Sequence, residues 1–366
     1  MSDPTVATSS VRFGLRRLSP ALLLSLGALA CRPTIESDKS IGDLYGEDSG
    51  GADGADGSTD TGGEDTGEDT GDDIDIAPPV IYDCDTAPTT DFTGTPTAGA
   101  RAYHGIGFDD VGHLIGWDGR SALIKATYEG DREVFLPGIN YAEQIDRLPD
   151  GDFVMGDPYA GTLVRISPEG ASTVLASGVS GVYGVTVGPD GNVYVANGGV
   201  VRVETATGTV TTLLNAPPDG GWIAHSIEFS LDSTVLYIGT IGSGQLLGLP
   251  LDEDLNPSGE PTTLATVGSG WHDAVAVDAC GMLWIPDYYS SGFYRVDLEA
   301  GTVTNAVPTG GVAYGHGAVF GTGINGWRRD AIYQPQPYNG STVREVVIGV
   351  PTGDTVRTWR GERVSY

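Results

Sequence analysis

The sequence has few basic residues. Lys and Arg together number 19 against 49 Asp and Glu, which gives a net charge of -30 at pH 7. A nucleic-acid backbone would be repelled by such a chain, because non-specific affinity for DNA and RNA comes from Lys and Arg contacts with phosphates. We therefore expect no nucleic-acid partner.

The sequence also lacks long amphipathic helical patterns. Its 56 Gly and 22 Pro among 366 residues indicate many turns rather than long helices. The length is sufficient for one large domain or two ordinary ones. These features favour a chain of short strands.

The first 31 residues have the features of a signal peptide. Arg16 and Arg17 precede a short apolar run at 21–26, which is too short to span a bilayer. The small residue before Cys31 makes this segment resemble a bacterial lipoprotein signal, in which the cysteine becomes the lipidated first residue. We predict a protein anchored by lipid to the outer membrane or cell surface. An ordinary secretory signal, which would give a secreted protein, is the alternative.

No Lys or Arg occurs between Ser40 and Ala100, and much of this stretch consists of Gly, Asp, Glu, Ser and Thr. Such a segment has too little apolar surface to offset the loss of chain entropy on folding, and its charges repel one another. We predict an extended, disordered acidic linker over residues 32–90.

Residues 91–366 are predicted to form an all-β, six-bladed propeller. A pattern of roughly 40 residues recurs, as is typical of propellers. Its clearest copy is GVYGVTVGPDGNVYVANGGVVRVETATGTVTTLLNAP, which begins at Gly181. Alternating Val, Tyr and Thr form four strands, and Gly, Asn and Asp form the hairpins. Five other segments align with it. In the last, TVREVVIGV and DTVRTWRGE are candidates for outer strands or for ring closure with residues 92–103.

One polar residue stands at the entrance of each innermost strand. These residues are His104, Glu143, Tyr183, His225, Asp273 and His316. Because innermost strands line a propeller's central channel, the six side chains should form a ring at one mouth. Imidazole and carboxylate ligands bind zinc and similar cations. We predict a divalent metal held by His104, His225, Asp273 and His316, with Glu143 or His272 as general base. A solvated polar channel without a site is the alternative.

Aromatic residues lie at or just before several ring positions. The four that we predict to contact a ligand are Tyr183, Trp222, Trp271 and Tyr314. They would form a rim for a small organic molecule, a sugar or a peptide. Packing between blades is an equally good interpretation.

Two cysteines remain beyond the signal segment, Cys84 and Cys280. In an exported protein an even pair predicts a disulfide, which would fix the end of the linker on the face opposite the polar mouth. Two free thiols are the alternative.

The sequence GVTVGPDGNVYVAN resembles the NHL repeat of six-bladed propellers. HSIEFSLDSTVLYIGTIGSGQLLGLPLDED and HDAVAVDACGMLWIPDYYSSGFYRVDLEAG resemble consecutive blades of the regucalcin and gluconolactonase family of metal-dependent lactone hydrolases. That resemblance implies that Asp273 is both metal ligand and catalytic acid–base group. The family has Asn in place of His225 and Glu near His104, so the imidazoles here favour zinc over calcium.

A second resemblance concerns the segment AHSIEFS, which is similar to a histidine strand of the peptidyl-hydroxyglycine amidating lyase, a six-bladed zinc enzyme. Two functions therefore stay open. The first is a metal-dependent hydrolase or lyase. The second is a non-catalytic surface propeller that binds a sugar, peptide or protein. A monomer is expected in either case.

Overall fold

The computed structural model describes residues 82–90, 92–307 and 315–364. These residues form six four-stranded antiparallel sheets and one two-stranded hairpin. The prediction of a six-bladed all-β propeller is confirmed. The predicted signal peptide, Cys31 and residues 32–81 of the predicted linker lie outside the described residues. Within the described part of the chain, no helix has the length and apolar character of a membrane span.

The strands of the first five blades follow one another in sequence. Blade 1 consists of β2 (His104–Phe108), β3 (Leu114–Trp117), β4 (Ala122–Ala126) and β5 (Arg132–Pro137). Blade 2 consists of β6 (Ile145–Arg147), β7 (Phe153–Asp157), β8 (Thr162–Ile166) and β9 (Ser172–Ser177). Blade 3 consists of β10 (Gly184–Val187), β11 (Val193–Ala196), β12 (Val200–Val203) and β13 (Val210–Leu214). Blade 4 consists of β14 (Ile223–Phe229), β15 (Val235–Ile241), β16 (Gln245–Pro250) and β17 (Thr262–Thr266). Blade 5 consists of β18 (Ala276–Val277), β19 (Leu283–Asp287), β20 (Gly292–Asp297) and β21 (Thr302–Asn305).

Blade 6 closes the ring with strands from both ends of the propeller. It consists of β22 (Val319–Phe320), β23 (Ala331–Gln336), β24 (Thr342–Val347) and, as its outermost strand, β1 (Gly94–Arg101). The pairing of β1 with β24 is antiparallel, with Gly94 opposite Val346. The segment TVREVVIGV thus supplies β24, and residues 94–101 pair with it as the outermost strand. This pairing joins the start of the propeller to its last blade and closes the ring.

The hydrophobic core lies between the blades rather than at the centre of the molecule. Six clusters of buried apolar side chains each join two neighbouring blades. Between blades 1 and 2, for example, Ile115 and Leu123 pack with Phe153 and Ile166. Because the strands alternate side chains between their two faces, each blade contributes to two clusters. The axis remains available for polar side chains.

The segment after β24 does not form a blade strand. A short 3-10 helix over Gly353–Thr355 and a hairpin of β25 (Thr358–Trp359) and β26 (Glu362–Arg363) follow it. The backbone N–H of Ala279 donates to Pro351 O, and that of Thr358 donates to Leu231 O. DTVRTWRGE therefore crosses from blade 5 to blade 4 at the end opposite the strand entrances, which we call the lower face.

A disulfide joins Cys84 to Cys280, 196 residues apart in sequence. Cys84 belongs to a 3-10 helix over Cys84–Thr86, and Cys280 lies in the lower turn between β18 and β19. The described residues therefore include 82–90, which the sequence analysis assigns to the end of the linker. Nearby, the rings of Phe92 and Trp284 pack edge to face at 5.0 Å.

Candidate functional site

The innermost strands all begin at one end of the channel, which we call the upper mouth. The six predicted ring residues lie there. His104 begins β2 and His225 lies in β14, whereas the other four residues precede their strands by one to three positions. This placement follows from the repeat, because equivalent positions in each blade are brought to equivalent places around the axis.

Two backbone irregularities aim histidines into the channel. The pairing of β14 with β15 skips His225, because Ala224 is opposite Thr240 and Ser226 is opposite Gly239. The pairing of β2 with β3 skips Gly105 in the same way. An extra residue in one strand bends it and redirects side chains. Gly105 has a φ of +51°, a conformation that glycine adopts without strain.

A first triad consists of His104, Asp273 and His316. His104 Nε2 lies 2.5 Å from His316 Nδ1 and 3.9 Å from Asp273 Oδ2. His316 Nδ1 is in close contact with the same carboxylate oxygen. Their ligand atoms all lie within 4.8 Å of one another.

A second triad consists of Glu143, His225 and the same Asp273. Glu143 Oε1 lies 3.3 Å from His225 Nε2, and Asp273 Oδ1 lies 3.7 Å from His225 Nδ1. The sequence predicted that His225 would share one ion with His104 and His316. The structure instead places His225 in a separate triad with Glu143.

The channel histidine of blade 1 and that of blade 4 each contact a backbone carbonyl of the next blade. His104 Nδ1 lies 3.0 Å from Glu143 O, and His225 Nδ1 lies 3.2 Å from His272 O. Since a carbonyl oxygen only accepts, each Nδ1 carries a hydrogen, and Nε2 is the ring nitrogen that faces the other residues of the triad. Metal-binding histidines are oriented by the same kind of contact.

The triads are buried, so the ionisable groups strongly influence one another. Burial, together with His316, lowers the pKa of His104. For Asp273, burial alone would raise the pKa, but the charges of His316, His104 and His225 outweigh it and lower the pKa. Burial opposes ionisation of Glu143 as well, and His104 and His225 reverse that effect and lower its pKa. Both carboxylates are therefore ionised.

These residues fit a divalent cation. Asp273 is 2 % exposed, and among the described residues its Oδ2 atom has no hydrogen-bond partner of acceptable geometry. His316 Nδ1 is in close contact with this oxygen, but without a well-directed hydrogen bond the buried carboxylate is poorly stabilised. An ion about 2.0 to 2.2 Å from the oxygen would supply a better partner. Imidazole nitrogens beside carboxylate oxygens suit zinc, whereas calcium prefers oxygen ligands only.

Aromatic rings surround the triads. Tyr183 stacks on His225 with centroids 5.1 Å apart, and Tyr141 lies 5.5 Å from the His104 ring. Trp271 Nε1 donates to Asp273 Oδ1 over 3.3 Å. Two of the four predicted ligand contacts, Tyr183 and Trp271, thus adjoin the triads.

The other two predicted ligand contacts are Trp222 and Tyr314. Trp222, like Leu213 and Leu214, packs against the apolar cluster between blades 3 and 4, which agrees with the alternative of packing between blades. Tyr314 lies outside the described residues.

His272, the other predicted general base, is buried and contacts backbone groups with both ring nitrogens. The side chain is 0 % exposed. Its Nδ1 accepts from Thr240 N–H over 3.3 Å, and its Nε2 donates to Val267 O over 2.9 Å. Consecutive residues of an extended chain point in opposite directions. Because Asp273 points into the channel, His272 points between blades 4 and 5.

Two residues of the site were missed from sequence. Tyr288 packs against the His316 ring at 4.9 Å. Gln144 crosses the channel, donating to Asp273 O over 2.9 Å and accepting from Val185 N–H over 3.0 Å. The signal for Tyr288 was its place just after β19, since second strands end at the mouth where first strands begin.

Asp287 is the last residue of β19, and it holds the loop that carries Trp271. Its Oδ1 accepts from Trp271 N–H over 2.9 Å. Its Oδ2 accepts from Ser269 Oγ over 2.8 Å and from Ser290 Oγ over 2.6 Å. The position of the Trp271 indole therefore depends on this carboxylate.

Below the triads, the channel widens into a cavity of about 580 Å³. Glu143 lies at its upper end, and Asp146, Glu228 and Arg357 line its lower end. Arg357 comes from the segment that crosses the lower face, and its Nη2 lies 2.7 Å from Glu228 Oε1. The C-terminal segment thus covers part of the lower end of the channel.

The fold and the upper mouth define a six-bladed β-propeller with a candidate metal centre on its axis. Comparison of the sequence with protein-family models and with curated proteins gives no match. Solved structures share the fold. A gluconolactonase from Xanthomonas campestris is 16% identical with a TM-score of 0.58, and the match covers 76% of this chain and 96% of that one.

Two other solved structures illustrate the range of proteins with this fold. A calcium-binding protein, regucalcin, from Agrobacterium tumefaciens is 16% identical with a TM-score of 0.54, over 75% of this chain and 99% of that chain. An auxiliary nutrient-binding protein from Bacteroides ovatus is 13% identical with a TM-score of 0.53, over 70% and 77%. The chain has the six-bladed propeller fold of the regucalcin and gluconolactonase-like proteins. At these identities the comparisons establish fold, and function has to be argued from the site.

Proposed function

We propose that this chain is a metal-dependent hydrolase of lactone-type substrates or a lyase, displayed on the cell envelope by an N-terminal lipid. The observation that carries the proposal is the first triad. Two imidazole nitrogens and an unsatisfied carboxylate oxygen meet at one buried point of the upper mouth. Polar residues that merely lined a wet channel would not need to converge in this way.

His104, Asp273 and His316 would hold the cation, and zinc suits these ligands better than calcium. When bound there, a divalent cation supplies polarisation of a substrate carbonyl and a lowered pKa of water. Glu143 would be the general base; its position beside His225, whose Nε2 lies 3.3 Å from its Oε1, supports this role. Tyr183 and Trp271 would orient the substrate.

Metal analysis of protein purified without a histidine tag tests this proposal. We expect at least one equivalent of a divalent cation, and hydrolysis of a panel of lactones that chelation abolishes and zinc restores. His316→Ala should lose both properties. The matched control is His113→Ala, because His113 belongs to a turn of blade 1 where it contacts Asp109. Failure to take up either zinc or calcium would contradict the proposal.

A second candidate function is the binding of a sugar, peptide or nutrient without catalysis. Exposed tyrosines favour it, because Tyr159 and Tyr289 are 68 % and 58 % exposed and both follow second strands that end at the upper mouth. Tyr289 packs on Trp271 at 5.2 Å, which makes a broad aromatic surface of the kind that binds sugar rings. Glycan binding that survives chelation and His316→Ala, without turnover of any lactone, would favour this function.

A further inference from the structure

Asp273 faces both triads with different oxygen atoms. Its Oδ2 atom lies toward His104 and His316, and its Oδ1 atom lies toward His225. A carboxylate used in this way can bridge two cations, and bridged pairs of cations in enzymes lie about 3.5 to 4 Å apart. The two triads share no other residue.

The second triad has two ligand atoms at a spacing that suits a shared cation. His225 Nδ1 lies 3.2 Å from the carbonyl oxygen of His272, so Nε2 is the ring nitrogen that faces Glu143, whose Oε1 lies 3.3 Å away. Two atoms bound to one cation at about 2.0 to 2.2 Å in a tetrahedral arrangement are about 3.3 to 3.6 Å apart. A cation between these atoms would replace the proton that they can otherwise share.

We propose that the upper mouth holds two divalent cations bridged by Asp273, one in each triad. This inference rests on the proposed function for the first cation and adds the second, which Glu143, His225 and Asp273 would bind, since one ligand atom of each lies within 4.8 Å of the others. The first triad has two nitrogens and one oxygen, and suits zinc. The second triad has one nitrogen and two oxygens, and accepts harder cations such as manganese as well.

Charge makes the two affinities unequal. One divalent cation balances the negative charges of Glu143 and Asp273, and a second leaves an excess of positive charge in a buried place. The second cation should therefore bind at least about tenfold more weakly than the first. It would also occupy the Glu143 oxygen that the proposed function uses to accept a proton, so activity should fall as the second site fills.

Titration of metal-free protein with Zn²⁺, followed by calorimetry and by metal analysis after dialysis, tests the proposal. Wild-type protein should bind two equivalents in two steps. His316→Ala and His225→Ala should each bind one equivalent, and His113→Ala should still bind two. Thermal unfolding of each metal-free variant verifies folding, and His225→Gln replaces His225→Ala if the latter is unstable.

A second readout, the electron paramagnetic resonance spectrum of bound Mn²⁺, reports whether the two ions are bridged. Two Mn²⁺ ions bridged by a carboxylate give an exchange-coupled electron paramagnetic resonance spectrum, which should appear in wild-type protein and be replaced by a single-ion spectrum in His225→Ala. One equivalent in wild-type protein, lost in His316→Ala and kept in His225→Ala, would overturn the second site and leave the proposed function standing. No uptake at all would overturn both.

Discussion

The clearest quantitative prediction concerns Glu228 at the lower end of the channel. Burial raises its pKa from 4.5 to about 7, although Arg357 opposes the shift. The side chain is 20 % exposed, so solvent screening is limited. The folded protein retains a proton that the unfolded chain releases. The stabilisation is therefore complete below the unfolded pKa and is lost as the pH rises through about 7. One pKa unit is worth about 1.4 kcal/mol, so holding the ionised group costs about 3 kcal/mol at pH values above 7.

The Glu228→Gln variant keeps the shape of the protonated side chain and cannot ionise. Urea unfolding should show nearly equal stability for variant and wild type near about pH 4, and a variant more stable by about 3 kcal/mol near about pH 8. Titrating groups that do not interact with Glu228 affect both proteins alike and cancel. Asp146, whose charge helps to raise the pKa of Glu228, ionises more easily in the variant and adds to its advantage near about pH 8. Glu260→Gln, at an exposed position, is the matched control. A Glu228→Gln advantage that is the same at both pH values would refute the reasoning.

Three further predictions concern the backbone and the metal site. Replacing Cys84 and Cys280 together by Ser should lower the free energy of unfolding by about 5 kcal/mol, because the disulfide closes a loop of 196 residues; an unchanged urea midpoint would contradict this. Trp271→Phe removes a hydrogen bond to a metal-binding carboxylate, so calorimetry should show Zn²⁺ affinity about tenfold lower with little change in Tm. Gly105→Ala should destabilise by about 1 to 3 kcal/mol more than Gly138→Ala, since both have positive φ but only the first Cβ would meet a backbone oxygen at 2.8 Å; equal urea midpoints would be the contrary result.

The repeat made the fold predictable. In blade 3, the Pro-Asp-Gly turn is flanked by the paired residues Val187 and Val193, and the alternation of Val and Tyr around it fixes which side chains face the neighbouring blades. The same turn anchored the equivalent position in every blade. Placement of His104 and Asp273 at one mouth followed from counting residues back from those turns.

The grouping of ligands could not be predicted in this way. Counting residues gives the angle of a side chain around the axis but not its tilt, which depends on local bulges such as the one at His225. A change of a few ångströms decides whether His225 meets His316 or Glu143, and that distance is set by the packing of whole blades. The direction of His272 could have been predicted, because consecutive side chains of an extended chain point in opposite directions and Asp273 faces the channel.

The two ends of the channel keep buried carboxylates by different chemistry. At the lower end, the pKa values of Asp146 and Glu228 are raised, so protonation removes much of the charge and Arg357 offsets the remainder. At the upper mouth, imidazoles lower the pKa values of Glu143 and Asp273, so both stay ionised. An ionised carboxylate beside an imidazole nitrogen is a ligand set for a cation, which can displace a proton from the ring, whereas a protonated carboxylate beside a guanidinium is not. The same run of buried acids along one axis therefore gives a candidate metal centre at the end with histidines, and a structural closure at the end that the C-terminal segment covers.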